Sequence, residues 1–269
     1  MLAAFSGWND AGDAATEATK HLRRRFRAGR VATIDPEYFY DFASVRPNVR
    51  LSDGERRIDW PRPEVRVGEL DNGDPVVTLL GVEPRLRWRT FSEVVVSICE
   101  TLGVTKVATL GALLTGTHHK APVNVVGASS NSALNLELGL RPSTYEGPTG
   151  IIGVLNDACH RAGLVSVSFW AAVPTYVSSY PSPKAALALV ERVAKFLDST
   201  VDGAELASAS ATYDEHIDEV VANDDRLAQY AQQILEDSAA EAAEDFNEMA
   251  ENPEALVNEL ERFLRQEDD

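Results

Sequence analysis

Residues 3–15, Ala-Ala-Phe-Ser-Gly-Trp-Asn-Asp-Ala-Gly-Asp-Ala-Ala, restrict what this chain can fold into more than any other stretch. The apolar run Leu2–Phe5 reads as a buried strand, the chain breaks at Gly7, and an alanine-rich helix is expected from about Asp10 to Phe26. A tight β-to-α turn carrying Trp8 lies between them. In open α/β folds, ligand and partner sites gather at such carboxyl-end turns. The turn therefore indicates a fold class and a place to look for function.

The next part of the chain keeps the same alternation. Arg30–Ile34 reads as a strand, and the polar, turn-rich stretch Asp41–Pro63 around Trp60 as an excursion with short edge strands. Val65–Leu70 and Val76–Leu80 read as a hairpin turning at Asn72-Gly73. Thr90–Leu102 has apolar residues at helical spacing. Val104–Leu110, Pro122–Val126 and Leu164–Val173 are apolar runs fit for central strands. Ser182-Pro183 combines an N-cap serine with proline at the first helical position, and the helix it opens is expected to reach about Leu197. The pattern predicts an α/β, three-layer sandwich on a mixed, largely parallel sheet.

Residues 199–269 differ in kind. They hold 21 acidic and 3 basic residues, whereas residues 1–198 hold 21 and 22, so the whole excess of the net charge of −17 lies at the C-terminal end. Strand patterns are absent there. One apolar row runs through Ile217, Val220, Val221, Leu227, Tyr230, Ala231 and Ile234. A second follows Asn252-Pro253 through Leu256, Leu260, Phe263 and Leu264. Each stripe needs a surface to bury against. We expect an α/β core domain over 1–198 and an acidic, all-α C-terminal appendage over 199–269. Such charge disfavours nucleic acid, itself densely negative, as a partner. The acidic face could instead dock a basic partner.

Candidate chemistry is sparse. The turn Gly7–Gly12, with Trp8, Asn9 and Asp10, leads into a helix N-terminus that could cradle phosphate. It lacks the Walker lysine, and Asp10 and Asp13 would repel an anion; they are better read as stabilisers of the helix start. A structural turn is the plainer reading, with Trp8 in the core or at a subunit contact. His118 and His119, next to Lys120, are the densest acid–base cluster, but the sequence shows no orienting carboxylate and no nucleophile for them. A solvated loop or an inter-subunit polar contact is expected there. Ser129–Ser132 reads as a cap for a short helix. In Glu146–Gly150, Gly147 permits close backbone approach and Thr149 is a candidate cap for a helix over Ile152–Ala162. Cys99 and Cys159, far apart and outside any metal-ligand spacing, read as free buried thiols of a reducing, cytoplasmic compartment. No leader and no apolar run long enough to span a membrane is read. No metal, cofactor or catalytic residue is assigned.

Five segments in order resemble the proteasome assembly chaperone 2 family, in its actinobacterial-type branch. They are Gly7-Trp8-Asn9-Asp10-Ala11-Gly12; Gly81-Val82-Glu83-Pro84 with Trp88-Arg89-Thr90-Phe91; Leu110–Leu113; Gly147–Leu155; and Tyr180–Ala185. The resemblance covers roughly residues 1–198. Members often carry a His-Thr-Arg-Pro-like turn where this chain has His119-Lys120-Ala121-Pro122, and archaeal members tend to end in a hydrophobic-Tyr-x tail where this chain has Arg265–Asp269. The resemblance implies a layering similar to nucleoside phosphorylases. It also implies ATP-independent binding of protein clients, including proteasome subunits, by a homo-oligomer with a trimer favoured. Trp8, Trp88 and the helical appendage are then candidates for subunit or client contact. The rival expectation is a phosphorylase- or hydrolase-like enzyme, or a nucleoside- or phosphate-binding protein, on the same scaffold.

Overall fold

In the computed structural model, which describes residues 1–140 and 146–241, the chain builds its core on one seven-stranded sheet. Strand β1 (Leu2–Ser6) lies at the middle. Three other strands appear before its partners: β2 (Gly29–Thr33), and β3 (Asn48–Ser52) and β4 (Glu55–Asp59), which form a separate hairpin. Next come β5 (Glu64–Glu69) and β6 (Pro75–Val82), antiparallel around the Asn72-Gly73 turn as the sequence predicts. The remaining strands are β7 (Lys106–Thr115), β8 (Val125–Ser129) and β9 (Val165–Pro174). The order is β2-β5-β6-β1-β7-β9-β8, with parallel pairing from β6 through β1 and β7 to β9 and antiparallel strands at both flanks.

The two-residue period of β1 builds the two cores. Leu2 and Ala4 face one layer of helices, Ala3 and Phe5 the other. The first layer holds α1 (Ala14–Arg25) and α5 (Pro183–Phe196), with Leu22, Leu189 and Val193 buried against Leu110 and Phe169. The second holds α2 (Trp88–Thr101) and α4 (Ile151–Arg161), with Phe91, Val95, Ile152 and Leu155 around Phe5 and Val107. Each large side chain buried in this way contributes about 1.5–3 kcal/mol. The expected mixed sandwich is thus present. Cys99 and Cys159 are free and buried in the second layer, where burial pushes the Cys159 thiol up to about 12.

Three local expectations change. The helix read from Asp10 begins at Ala14; a 3₁₀ turn, Ala11–Asp13, precedes it, with Gly12 and Asp13 at φ 57° and 51°. Gly12 sits there because its carbonyl accepts from Ser182 N (2.7 Å), and a Cβ would press on Ser182. The run Pro122–Val126 is not a central strand. Strand β8 starts at Val125 and pairs only with β9, because β7 and β9 already pair along their whole length and leave it the sheet edge. The row Ile217–Ile234 is not one helix face: the chain reverses at Asn223-Asp224 between α6 (Ala204–Ala222) and α7 (Asp225–Glu241). Asp224 Oδ1 accepts from the amides of Arg226 and Leu227 and starts the second helix.

Other helix starts follow the sequence. Ser182 Oγ accepts from Ala185 N at 3.3 Å, and Asn131 Oδ1 caps the short α3 (Ser132–Leu138). Helix α6 lies on α5, Leu206 joins the α1/α5 core, and Arg25 pairs with Asp202 at 2.8 Å. A third cluster joins Tyr213 and Ile217 of α6 and Ala231 and Ile234 of α7 to Tyr176 and Val177, just past β9. The second apolar stripe, after Asn252-Pro253, lies outside the described residues.

Candidate functional site

The carboxyl ends of β1 and β6 form a mouth whose polar floor is closed by the protein itself. Gly7 turns the chain at φ 119°, and Glu83 N donates to Ser6 O (2.9 Å), which holds the two strand ends together. Asn9 is fully buried. Its amide donates to Glu83 Oε1 at 2.6 Å, and the same oxygen accepts from Ile151 N at 3.1 Å. The buried Glu83 carboxylate therefore stands at the N-terminus of α4, where the helix dipole favours negative charge. Thr149 does not cap this helix, contrary to expectation. Gly150 holds the cap position without a side-chain bond, and Glu83, 68 residues away, supplies the acceptor. Gly150 is required because a Cβ there would overlap the Asn9 amide.

The other helix start at this mouth is also filled. Asp10 Oδ1 accepts from Ala15 N (2.7 Å) and Thr16 N (3.2 Å), and Oδ2 from Thr16 Oγ1 (2.7 Å). Burial outweighs these bonds and pushes the Asp10 carboxyl up to about 6. Asp10 thus stabilises the helix start as the sequence suggests, while Asp13 makes no side-chain cap bond. Both helix N-termini that could bind phosphate are occupied by the chain's own carboxylates.

The rim of the mouth is apolar and open. Trp8 is 55% exposed, so it does not pack in the core. Tyr38 and Leu86 are exposed too, with the Arg87 guanidinium 5.6 Å above the Tyr38 ring. The amides of Arg85 and Leu86 donate to Phe39 O and fix this rim to the segment after β2. Gly147 and Thr149 are exposed on the neighbouring loop. Trp88 is different: it is half-buried against the α2/α4 core, and its indole N–H donates to Pro84 O.

His118 and His119 are buried, which overturns the expectation of a solvated loop. Tyr176 Oη accepts from the backbone N–H of His119 (2.9 Å) and so has its own proton for His119 Nδ1 (2.7 Å); His119 Nε2 faces Asp218 Oδ1 at 3.0 Å. In the neutral ring this arrangement selects the Nε2–H form. Lys120 reaches the same carboxylate at 2.8 Å, and these bonds from Lys120 and His119 hold the Asp218 carboxyl below the usual carboxylate range. Lys184 bonds the His119 carbonyl (2.7 Å) and Asp214. The orienting carboxylate that the sequence does not show thus comes from α6. Both ring nitrogens are engaged, and no lone pair is left for general-base work. The cluster fastens α6 to the loop after β7. The His118 imidazole is pushed down to about 4 by burial and by His119 and Lys120.

The two places do not merge into one pocket. The cleft beside the histidines is lined by Thr117, His118, Pro122, Ser182, Lys184 and Tyr213, among others, and by no residue of 7–12 or 146–150. It has room for about one water molecule, against about 300–1,000 Å³ for a typical small-ligand site. Among the described residues, no group of His, Cys, Asp and Glu is placed to hold a metal ion, and no helix is long and apolar enough to cross a membrane.

Sequence comparison places this mouth in a family. The PAC2 family profile matches residues 4–221. A proteasome-assembly chaperone homologue of Mycobacterium tuberculosis is 44% identical and superposes with a TM-score of 0.78, over 85% of this chain and 98% of that one. A PAC2 family protein of Streptomyces avermitilis is 41% identical, with a TM-score of 0.79 over 86% and 98%. The archaeal proteasome activator PbaB of Pyrococcus furiosus shares the fold at 15% identity, with a TM-score of 0.65 over 81% and 92%. No match was found among the curated proteins. A family match across the sheet and α6, together with two actinobacterial structures above 40% identity, leads to one conclusion: this chain belongs to the PAC2 family.

Proposed function

We propose that this protein is a non-enzymatic, chaperone-like protein that binds protein clients, proteasome subunits among them, as a homo-oligomer and without ATP. The observation that carries the proposal is the mouth. The Asn9 amide, the Glu83 carboxyl and the Ile151 amide bond to one another, and Asn9 Oδ1, without a hydrogen-bond partner among the described residues, is enclosed against Gly150, while Trp8, Tyr38 and Leu86 stand exposed around them. A small-ligand site reverses that arrangement, with polar groups aimed into an open cavity. Exposed aromatics beside arginine are what anchors protein interfaces. The 44% identity to a protein described as a proteasome-assembly chaperone homologue supports the same reading. We place the functional division at residues 198 and 199, with the body presenting the mouth and the acidic helices as a second contact surface. A trimer is the favoured assembly, in the cytoplasm.

The test is a pull-down from native lysate with tagged protein, alongside native mass spectrometry of the purified chain. Enrichment of proteasome α-subunits with a homo-oligomeric mass supports the proposal. If the protein neither binds α-subunits nor changes the rate of ring assembly, the proteasome role is wrong. A thermal shift with purine nucleosides and phosphate tests the enzyme reading, which predicts a concentration-dependent rise.

A further inference from the structure

Helices α6 and α7 follow the last strand and α5, so lifting them from the body breaks no strand pairing. They lie across the carboxyl ends of β7 and β9, where Asp218 meets His119 and where Tyr213, Ile217 and Ile234 meet Tyr176 and Val177. The large side chains they bury are few: Leu206, Tyr213, Ile217 and Ile234. Charge supplies the rest of the hold, and it runs in one direction. Arg24 reaches Glu205 at 3.3 Å, Arg25 reaches Asp202 at 2.8 Å, Lys184 reaches Asp214 at 3.1 Å and Lys120 reaches Asp218 at 2.8 Å. In each pair the cation belongs to the body and the carboxylate to α6 or to the linker before it. Ion pairs this open to solvent weaken as salt rises.

We infer that α6 and α7 form a salt-gated strap: the two helices lift from the body as one unit while the sheet stays folded, and screening of the four cation–carboxylate pairs sets how often they do so. Two features of the closed arrangement favour lifting. Residues 204–236 hold eight acidic residues and one arginine, and Glu215 and Glu219, one helical turn apart, repel each other. The seam also buries an unmet polar atom. His21 Nε2 donates to Asp202 O at 2.8 Å, which leaves Nδ1 of the neutral ring buried and without a hydrogen bond, 3.6 Å from Glu205 Oε2. A bare acceptor facing a carboxylate destabilises the closed state, and water satisfies both once the strap opens. Opening uncovers Tyr176 and Val177 and releases His119 Nε2 from Asp218. Because β1, β7 and β9 are parallel, this face lies at the same end of the sheet as the mouth. The strap is then a gate over a second apolar surface, and its existence does not depend on the client-binding reading.

The experiment follows thiol labelling in the full chain carrying Ser210→Cys. Ser210 is buried on the inner row of α6 with Leu206, Tyr213 and Ile217, and the exchange of oxygen for sulfur is nearly isosteric. The native thiols Cys99 and Cys159, fully buried in the body, report unfolding of the sheet in the same sample. Rates are normalised to a peptide thiol at each salt concentration. The new thiol should react about a hundredfold or more faster than the native pair, as a sub-global opening requires. Its rate should rise about tenfold between about 0.05 M and about 1 M sodium chloride, each of the four pairs giving up about a factor of two. The variant Arg24→Gln/Arg25→Gln/Lys120→Gln, made in the same background, removes three exposed cations of the seam. It should show a comparable rise already at low salt and little further response. Equal rates for all three thiols would mean that α6 and α7 leave only when the whole protein unfolds, and would overturn the inference. A rate indifferent both to salt and to loss of the three cations would overturn the gating by charge.

Discussion

Glu83 is the residue on which the mouth depends, and its removal has a calculable cost. Its Oε1 accepts from the Asn9 amide and from Ile151 N, and the side chain is buried. Glu83→Ala leaves two buried donors without an acceptor. At about 1–3 kcal/mol for each orphaned group, the loss centres on about 4 kcal/mol. For a domain of this size, that is a fall in melting temperature of about 8–16 °C. Glu83→Gln keeps an acceptor oxygen for both donors and loses the charge facing the α4 dipole, so it should cost about 1–2 kcal/mol. The Ala variant must therefore be the worse of the two. Chemical denaturation gives the totals, and native-state hydrogen exchange at the Ile151 amide reads the site itself. Asn9→Ala combined with Glu83→Ala should fall short of additivity by about 1–2 kcal/mol. If Glu83→Ala melts within about 2 °C of the parent and exchange at Ile151 does not change, Glu83 does not hold the helix and the reasoning fails.

Other outcomes follow from the same geometry. The Asp10 carboxyl is raised in the fold from 3.8 to about 6, so its contribution is complete below about pH 4 and is lost as pH rises through 6. The stability of the parent minus that of Asp10→Asn should fall across this window by about 3 kcal/mol at most, and a flat difference would refute the assignment. Tyr176→Phe strips His119 of two hydrogen bonds and should cost about 1–3 kcal/mol, with faster exchange of the His119 amide; an unchanged melt would show that the cluster does not fasten α6. Trp8→Ala should leave stability within about 0.5 kcal/mol of the parent while abolishing client capture. Intact capture would move the contact away from the mouth.

Much of the scaffold is readable from the chain because its signals are local. The alternation of Leu2–Phe5, the Asn72-Gly73 hairpin and the Ser182-Pro183 helix start each act within a few residues, and each appears where its pattern places it. Where a local reading fails, a distant neighbour has intervened. Ser182 N takes the Gly12 carbonyl and delays the first helix, and the full-length pairing of β7 with β9 sends β8 to the edge.

The site was far less legible. Glu83 lies inside a segment that carries the family resemblance, yet nothing around it announces a cap for a helix 68 residues later. Asp218 sits in an acidic run like its neighbours, and only the packing of α6 brings it to His119, 99 residues away. The sequence by itself determined the strand–helix alternation, the caps at Asn131 and Ser182 and the placing of all excess negative charge in the last quarter, because propensity, period and charge are properties of neighbouring residues. Tertiary structure alone decided that Trp8 is exposed, that the histidines are buried and spent on Tyr176 and Asp218, and that Glu83 fills the anion position at α4. A side chain's burial and its hydrogen-bond partners are set by whichever distant segments the packed core brings against it.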